Sequence, residues 1–272
     1  TLNSYGDFLV GAGGVGLFTV SNATANFTAN WFTKAKSIST VRTGANVYCN
    51  TLLVGQYHDS GSTVSQTGGL VIVKNGLGIT GNWQGGAGLG TNNIYILSGG
   101  TLTGSTGAVA VGGALTLSSG VLTAPTGTFT VSGSWSRSGG TFTPGAGTVT
   151  FDGAGTQTLD SGGAGGSFTS VSHSGAGTLQ VVTNTLTVTS TLTSSNGIFD
   201  ANGIGVSVTG LTTVSGGTYQ ASTGTQTFSG GLTVSGGTFT GSTGTVTVAV
   251  AVTISSGTLT APAAAGNFNV SG

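Results

Sequence analysis

The stretch SGGTFTGSTGTVTVAVAVTISSGTLTAP, residues 235–262, decides the fold of this chain. It consists almost entirely of Gly, Ser, Thr, Val and Ala, and its opening phrase, SGGTFTG, returns near its end as SSGTLTA. Apolar and hydroxyl side chains alternate in TVTVAV, and a period of two is typical of a strand with one buried face. Gly-Ser clusters, which are typical of turns, separate the alternating runs. The stretch therefore predicts short strands joined by tight corners.

The same phrase recurs along the chain at a fixed interval. A glycine precedes each Thr-apolar-Thr-like triplet, and within two series the triplets are 20 residues apart. These glycines are Gly100, Gly120 and Gly140 in the first series and Gly177, Gly197, Gly217, Gly237 and Gly257 in the second. The series are separated by 37 residues, which fits two coils of slightly different length. A constant period of this size indicates a solenoid whose repeats stack on one another.

Each repeat contains three strand signals, which after Gly237 are residues 238–240, 245–250 and 252–254. One coil cannot pair its own strand edges or cover its apolar side chains, so successive coils must stack. We therefore predict an all-β fold, a single-stranded β-solenoid (parallel β-helix) with three-strand coils of ~20 residues and a right-handed turn. The predicted core stack is Leu102, Leu122, Phe142, Leu179, Phe199, Tyr219, Phe239 and Leu259.

The regularity of the repeat changes along the chain. Residues 98–272 keep the 20-residue repeat, whereas strand signals in residues 1–97 are irregularly spaced. The N-terminal part also holds four of the five Lys and Arg residues and most of the tyrosines. No Pro-rich or charged linker separates the two parts. We therefore predict one solenoid with a less regular portion, 1–97, and a regular portion, 98–272.

The composition excludes several functional classes. Only 4% of the residues are charged and the formal net charge is zero, so the chain offers little to attract nucleic acid. No apolar run approaches the ~20 residues of a transmembrane helix. Cys49 is the only cysteine, so no internal disulfide can form. Weak charge repulsion favours self-association, and the absence of Met together with scarce Lys indicates a durable, exported protein.

Three stretches carry a resemblance to a known group of proteins. They are TLLVGQYHDSGSTVSQTGGLVIV at 51–73, NIYILSGGTLTG at 93–104 and SGSWSRSGGTFTPGAGTVTFDGAGTQTL at 132–159. From about residue 47 onward the chain resembles the Gly/Thr/Ser-rich repeats of large bacterial surface proteins, namely autotransporter-associated β-strand repeats and filamentous-haemagglutinin-like adhesins. The resemblance implies an extracellular or cell-surface bacterial β-solenoid, and it supplies no catalytic residues.

The first and last coils are predicted to be contact surfaces. Residues 261–272, APAAAGNFNVSG, parallel residues 124–133, but the chain stops where the earlier coil continues, which we interpret as an interrupted coil. Neither end shows an amphipathic helix that would cap the strand edges. We expect copies to add head to tail into a filament, since such contacts do not close. The predicted junction residues are Tyr5, Phe8, Val10, Asn267, Phe268 and Val270.

Two other functions remain as alternatives. The chain could be a stalk or adhesin segment of a larger surface protein, with Trp31 and Trp83 as aromatic platforms for surface glycans. Stacked Thr-x-Thr triplets, such as Thr238/Thr240 and Thr258/Thr260, could instead order water as in ice-binding solenoids.

Few side chains offer catalytic or metal-binding chemistry. Arg137, Asp152, Asp160 and His173 fall in neighbouring coils, where carboxylates and a base could act on a polysaccharide. Both aspartates also fit ordinary turn positions. The adjacent pair at 58 and 59, His-Asp, lacks a further ligand at useful spacing. We therefore predict no enzymatic activity, no metal and no cofactor.

Overall fold

The computed structural model describes residues 1–5, 8–10, 16–33, 37–42, 45–54, 63–66, 70–79, 82–84, 89–91, 94–103, 108–263 and 265–272. Within these ranges every regular element is a β-strand. The strands of the first part are β1 (Leu2–Ser4), β2 (Phe8–Val10), β3 (Leu17–Val20), β4 (Thr24–Thr33), β5 (Ile38–Val41), β6 (Asn46–Val54), β7 (Thr63–Gln66), β8 (Leu70–Ile79), β9 (Asn82–Gln84), β10 (Leu89–Thr91), β11 (Ile94–Thr103), β12 (Val109–Val111), β13 (Ala114–Thr123), β14 (Phe129–Val131), β15 (Trp135–Arg137) and β16 (Thr141–Thr143). The strands that follow are β17 (Thr148–Phe151), β18 (Thr156–Asp160), β19 (Ser170–His173), β20 (Thr178–Val181), β21 (Leu186–Val188), β22 (Leu192–Ser194), β23 (Ile198–Asp200), β24 (Val206–Val208), β25 (Thr212–Val214), β26 (Thr218–Ser222), β27 (Gln226–Phe228), β28 (Leu232–Gly241), β29 (Val246–Val248), β30 (Val252–Thr260) and β31 (Phe268–Val270).

The chain divides into two compact units. Unit 1 comprises Thr1–Thr130 with Arg137–Gly147, and unit 2 comprises Val131–Ser136 with Thr148–Gly272. In unit 1 the described strands form three parallel ladders. The first ladder contains β1, β10, β12 and the beginnings of β4, β6 and β8. The second ladder contains β2, the ends of β4, β6 and β8, and the beginnings of β11 and β13. The third ladder contains β3, β5, β7, β9, the ends of β11 and β13, and β16.

Unit 2 also consists of three parallel ladders. The first ladder contains β17, β19, β22, β25 and the beginnings of β28 and β30. The second ladder contains β18, β20, β23, β26 and the ends of β28 and β30. The third ladder contains β21, β24, β27, β29 and β31. Paired strands lie about 20 residues apart in sequence, so the predicted β-solenoid is confirmed. The right-handed turn and the difference in regularity between 1–97 and 98–272 stay predictions.

The predicted core residues occupy successive positions within their ladders. In unit 2 the second ladder aligns Leu179, Phe199, Tyr219, Phe239 and Leu259. The first four of these side chains are fully buried and Leu259 is half-buried. In unit 1 the backbone register aligns Leu102, Leu122 and Phe142, and the latter two side chains are buried. Identical register in consecutive coils places large apolar side chains directly over one another, which builds a continuous core within each unit.

Candidate functional site

The inward side chains of β30 and β31 are half-buried or exposed, although the same ladder positions are buried one coil earlier. Ile254 is 53% exposed and Val270 is 45% exposed, whereas their register partners, Val234 and Val248, are fully buried. Among the described residues, β30 pairs only with β28 and β31 only with β29, so each keeps one unpaired edge. The last-coil face is defined by these two edges and by the side chains of Ile254, Leu259, Phe268 and Val270.

A second open surface lies on the first three strands of unit 1. Leu2 is 44% exposed, whereas its register partner Ala25 is buried. The half-buried ring of Phe8 stacks on Phe27 with a centroid distance of 4.5 Å. Within the described part of the chain, β1 and β2 pair only with β4, and β3 pairs only with β5. The first-coil face is defined by the free edges of β1–β3 and by Leu2, Phe8 and Phe18.

The predicted junction residues lie on or beside these faces. Tyr5 is 84% exposed between β1 and β2, and Phe8 belongs to the first-coil face. Val10 is buried and contributes to the core. Asn267 directly precedes β31, and its carbonyl oxygen accepts a hydrogen bond from the Val246 N–H at 2.8 Å. Phe268 and Val270 belong to the last-coil face.

Four residues of the two faces are not among the predicted junction residues: Leu2, Phe18, Ile254 and Leu259, of which Leu259 was predicted as a core residue. Each occupies an inward position of an alternating strand, and this pattern was visible in the sequence. The alternating pattern predicts whether a side chain points into the core or outward. It does not predict whether a neighbouring coil covers that side chain, so the full or partial exposure of these residues became evident only in the structure.

The expectation that Trp31 offers a sugar platform is wrong. Its side chain is fully buried, and its ring packs against Phe18 and Phe27 with centroid distances of 5.7 Å to each. The inward position in β4 explains this burial, because Trp31 pairs in register with Phe8 and Leu52. Trp83 lies in β9, and its side chain falls outside the part of the protein that the structure describes.

The four residues considered for catalysis have separate local roles. Asp152 is exposed and accepts a hydrogen bond from the Ser132 hydroxyl at 2.6 Å. Asp160 accepts hydrogen bonds from the Gly162 N–H at 2.9 Å and from the Asn184 side-chain amide at 2.8 Å. The guanidinium of Arg137 donates to the Gly140 carbonyl at 2.8 Å. His173 is fully buried, so its imidazole is not available to a substrate at the surface.

Metal-binding groups are scarce where side chains are described. No cluster of three or more His, Cys, Asp or Glu side chains that could hold a metal ion occurs among the described residues. Residues 58 and 59 fall outside the described ranges. Cys49 is buried, and burial raises the pKa of its thiol to about 12. The thiol is therefore protonated at neutral pH and does not act as a nucleophile or ligand.

Three buried polar side chains in the first ladder of unit 2 have no hydrogen-bond partner. His173 and Ser194 occupy one inward register position in consecutive coils, and Thr212 lies in the next coil. All three are buried, and neither imidazole nitrogen nor either hydroxyl oxygen has a hydrogen-bond partner. Burial lowers the pKa of His173, because a charged imidazolium would lose its hydration. The folded state therefore favours the neutral imidazole.

We expect the stability of the protein to decrease as the pH falls below the ordinary histidine pKa of ~6.5. Because the pKa of His173 is lowered in the folded state, the unfolded chain binds a proton that the folded chain excludes, so acid favours unfolding by up to ~1.4 kcal/mol per pH unit. Urea denaturation between pH 7.5 and 5.5 measures this slope. All five acidic residues are aspartates, whose ordinary pKa of ~3.9 lies below this range.

The substitution His173→Phe serves as the control for this pH dependence. The inward neighbours of His173 in register are Phe151 and Ser194, neither of which titrates in this range. A phenyl ring occupies a similar volume without a titrating group, so the slope should flatten. An unchanged slope in the variant would assign the acid sensitivity to another group.

Outward threonines form rows on the surface of unit 2. In the first ladder Thr193, Thr213, Thr233 and Thr253 are aligned in register. In the second ladder Thr238 and Thr240 align with Thr258 and Thr260, but the preceding coils place Gln220 and Asp200 in the second column. The two adjacent threonine columns of the second ladder are therefore short, whereas the one threonine column of the first ladder continues over several coils.

Among the described residues there is no helix with the length and apolar character needed to cross a membrane. No protein-family model, curated protein or solved structure matches the chain.

Proposed function

We propose that this protein is a non-catalytic, extracellular structural subunit that assembles head to tail, with the last-coil face of one copy on the first-coil face of the next. The observation that carries the proposal is the exposure of inward apolar side chains on these two faces. Ile254 and Val270 are about half exposed, while their register partners one coil earlier are fully buried. A second copy would extend the parallel ladders and cover these side chains.

The energetics favour assembly that depends on concentration. Each half-exposed aliphatic side chain that becomes buried contributes about 1 kcal/mol, and each new ladder hydrogen bond contributes about 0.5–1.5 kcal/mol. Association costs several kcal/mol in lost rotational and translational freedom, so the net affinity of one junction is moderate. Charge repulsion opposes it little, since only 4% of the residues are charged and the net charge is zero.

The extracellular location rests on the resemblance to bacterial surface repeats and on the composition. The chain has no Met, one Cys and few Lys, and the outward row of the first ladder in unit 2 consists of Ser and Thr. Backbone ladders and an apolar core would give a fibre mechanical strength without any reactive side chain. A stalk or adhesin segment is the competing function, and it predicts that the isolated chain does not polymerise.

Electron microscopy across a protein concentration series tests the proposal. We expect unbranched filaments that become longer as the concentration rises, with a spacing of ~4.8 Å between coils along the axis. Val270→Lys should abolish the filaments, because it places a charge on the inward position of the last-coil face. Asn269→Lys is the matched control, since Asn269 lies on the same strand but points outward and should leave assembly intact. Single particles at every concentration would overturn the proposal in favour of the stalk.

A further inference from the structure

A groove of ≈ 320 Å³ lies beside the first-coil face of unit 1. Its lining consists of residues 1–2, 18–21 and 23–25. These residues belong to the beginning of β1, to most of β3 and to the corner that leads from β3 into β4. The groove therefore lies where a chain segment leaves a third-ladder strand and turns toward the first ladder.

The corners that follow third-ladder strands obey one hydrogen-bond rule in both units. The first residue after the strand donates its backbone N–H to the carbonyl of the last strand residue one coil earlier. The pairs are Arg42 to Val20 at 2.9 Å, Thr209 to Val188 at 2.9 Å, Ser229 to Val208 at 2.8 Å, Ala249 to Phe228 at 3.1 Å and Ser271 to Val248 at 3.0 Å. Each corner is thus held by the corner below it.

Ser21 is the first residue after β3. By this rule, the carbonyl that accepts a hydrogen bond from the Ser21 N–H lies one coil before β3. At the other face, β31 is the third-ladder strand with an unpaired edge among the described residues, and its last residue is Val270. We infer that β31 of a second copy pairs with β3, so that the corner after β31 lies at the groove and the carbonyl of Val270 accepts the hydrogen bond from Ser21. This inference rests on the proposed head-to-tail assembly and specifies its register.

The alternation of side chains supports the same register. Placing Val270 on Val20 also places Phe268 on Phe18, so that apolar inward side chains meet, while Asn269 lies beside the outward Thr19. A slip by one residue would put Val270 beside Thr19 and turn the apolar side chains of β31 to the outside. The core therefore selects this register over its nearest alternatives.

Disulfide cross-linking between two singly substituted proteins tests the inference. Thr19→Cys and Asn269→Cys proteins are mixed, allowed to assemble and oxidised with copper phenanthroline. Paired residues of adjacent parallel strands lie ~4.8 Å apart, which suits a disulfide. We expect covalent dimers in the mixture and none with either protein alone. The natural Cys49 does not compete, because it is buried.

In the matched control the cysteine is placed at Thr40 instead of Thr19. Thr40 is the register partner of Thr19 one coil further on. A mixture of Thr40→Cys and Asn269→Cys proteins should give no dimers, because these positions would be two ladder steps apart. Filaments without the Thr19–Asn269 cross-link, or with equal cross-linking through Thr40, would overturn this register and leave head-to-tail assembly standing. Absence of filaments in the unsubstituted protein would overturn both.

Discussion

Replacing Gly217 with alanine is expected to lower the free energy of unfolding by more than ~3 kcal/mol. Gly217 has a φ of +60°, which is strained for an alanine. A Cβ at this position would lie 2.6 Å from the Asn196 carbonyl carbon and would also collide with the Gly197 carbonyl oxygen. That carbonyl cannot move away easily, because it accepts the ladder hydrogen bond from the Thr218 N–H at 2.8 Å.

Gly155→Ala is the matched control in the same unit. A Cβ on Gly155 would meet no atom within 4 Å, and its φ is not in the left-handed region. We expect this substitution to change stability by less than ~1 kcal/mol. Urea denaturation of both variants beside the unsubstituted protein provides the measurement. Equal effects at the two sites would contradict the view that the glycine positions are set by contact with the preceding coil.

These glycines explain why the fold could be predicted from the repeat. The sequence showed glycine at a constant interval before each triplet, and we interpreted it as a corner residue. The structure adds that Gly197 and Gly217 stack on one another in consecutive coils, so that the backbone of one occupies the space of a side chain on the next. A coil that drifted out of phase would place a Cβ in that space. Glycine therefore maintains the period from which the solenoid was predicted.

The candidate site was harder to predict because it depends on neighbours rather than on local pattern. Phe239 and Leu259 occupy equivalent positions of the same repeat, yet Phe239 is fully buried and Leu259 is half-buried. Trp31 was taken for a surface residue, although the alternation of β4 turns it inward. His173 likewise follows the inward register of Phe151, and no local rule predicts a histidine in an apolar column. The alternating pattern determines whether a side chain points inward or outward, whereas its burial depends on whether another coil packs against it.

The aromatic stack of unit 2 gives the second large expected effect. Tyr219→Ala should cost about 3–5 kcal/mol in unfolding free energy. The ring of Tyr219 lies between Phe199 and Phe239 with centroid distances of 4.8 and 5.2 Å, and it is fully buried. Its hydroxyl donates to the side-chain oxygen of Gln226 at 2.6 Å. The ladder hydrogen bonds fix the spacing between coils, so the coils cannot move together to fill the cavity that alanine would leave.

Tyr219→Phe separates the hydroxyl from the ring. This variant retains the stacked ring but leaves the buried oxygen of Gln226 without its donor, at an expected cost of about 1–3 kcal/mol. Gln226 itself remains anchored, because its side-chain nitrogen donates to the carbonyls of Ala221 at 3.0 Å and Gly224 at 2.9 Å. If Tyr219→Phe were as damaging as Tyr219→Ala, the hydrogen bond rather than ring packing would dominate at this position.

Leu259→Ala connects the stability of the core stack with assembly. Leu259 ends the same column as Tyr219 and belongs to the last-coil face, so at low protein concentration its truncation should cost only about 1–2 kcal/mol. If copies stack head to tail, mass action stabilises the assembled state, and Leu259 becomes buried in it. The measured cost of Leu259→Ala should then rise with protein concentration, whereas that of Tyr219→Ala should rise much less. A cost for Leu259→Ala that is independent of concentration would show that no second copy covers the last-coil face.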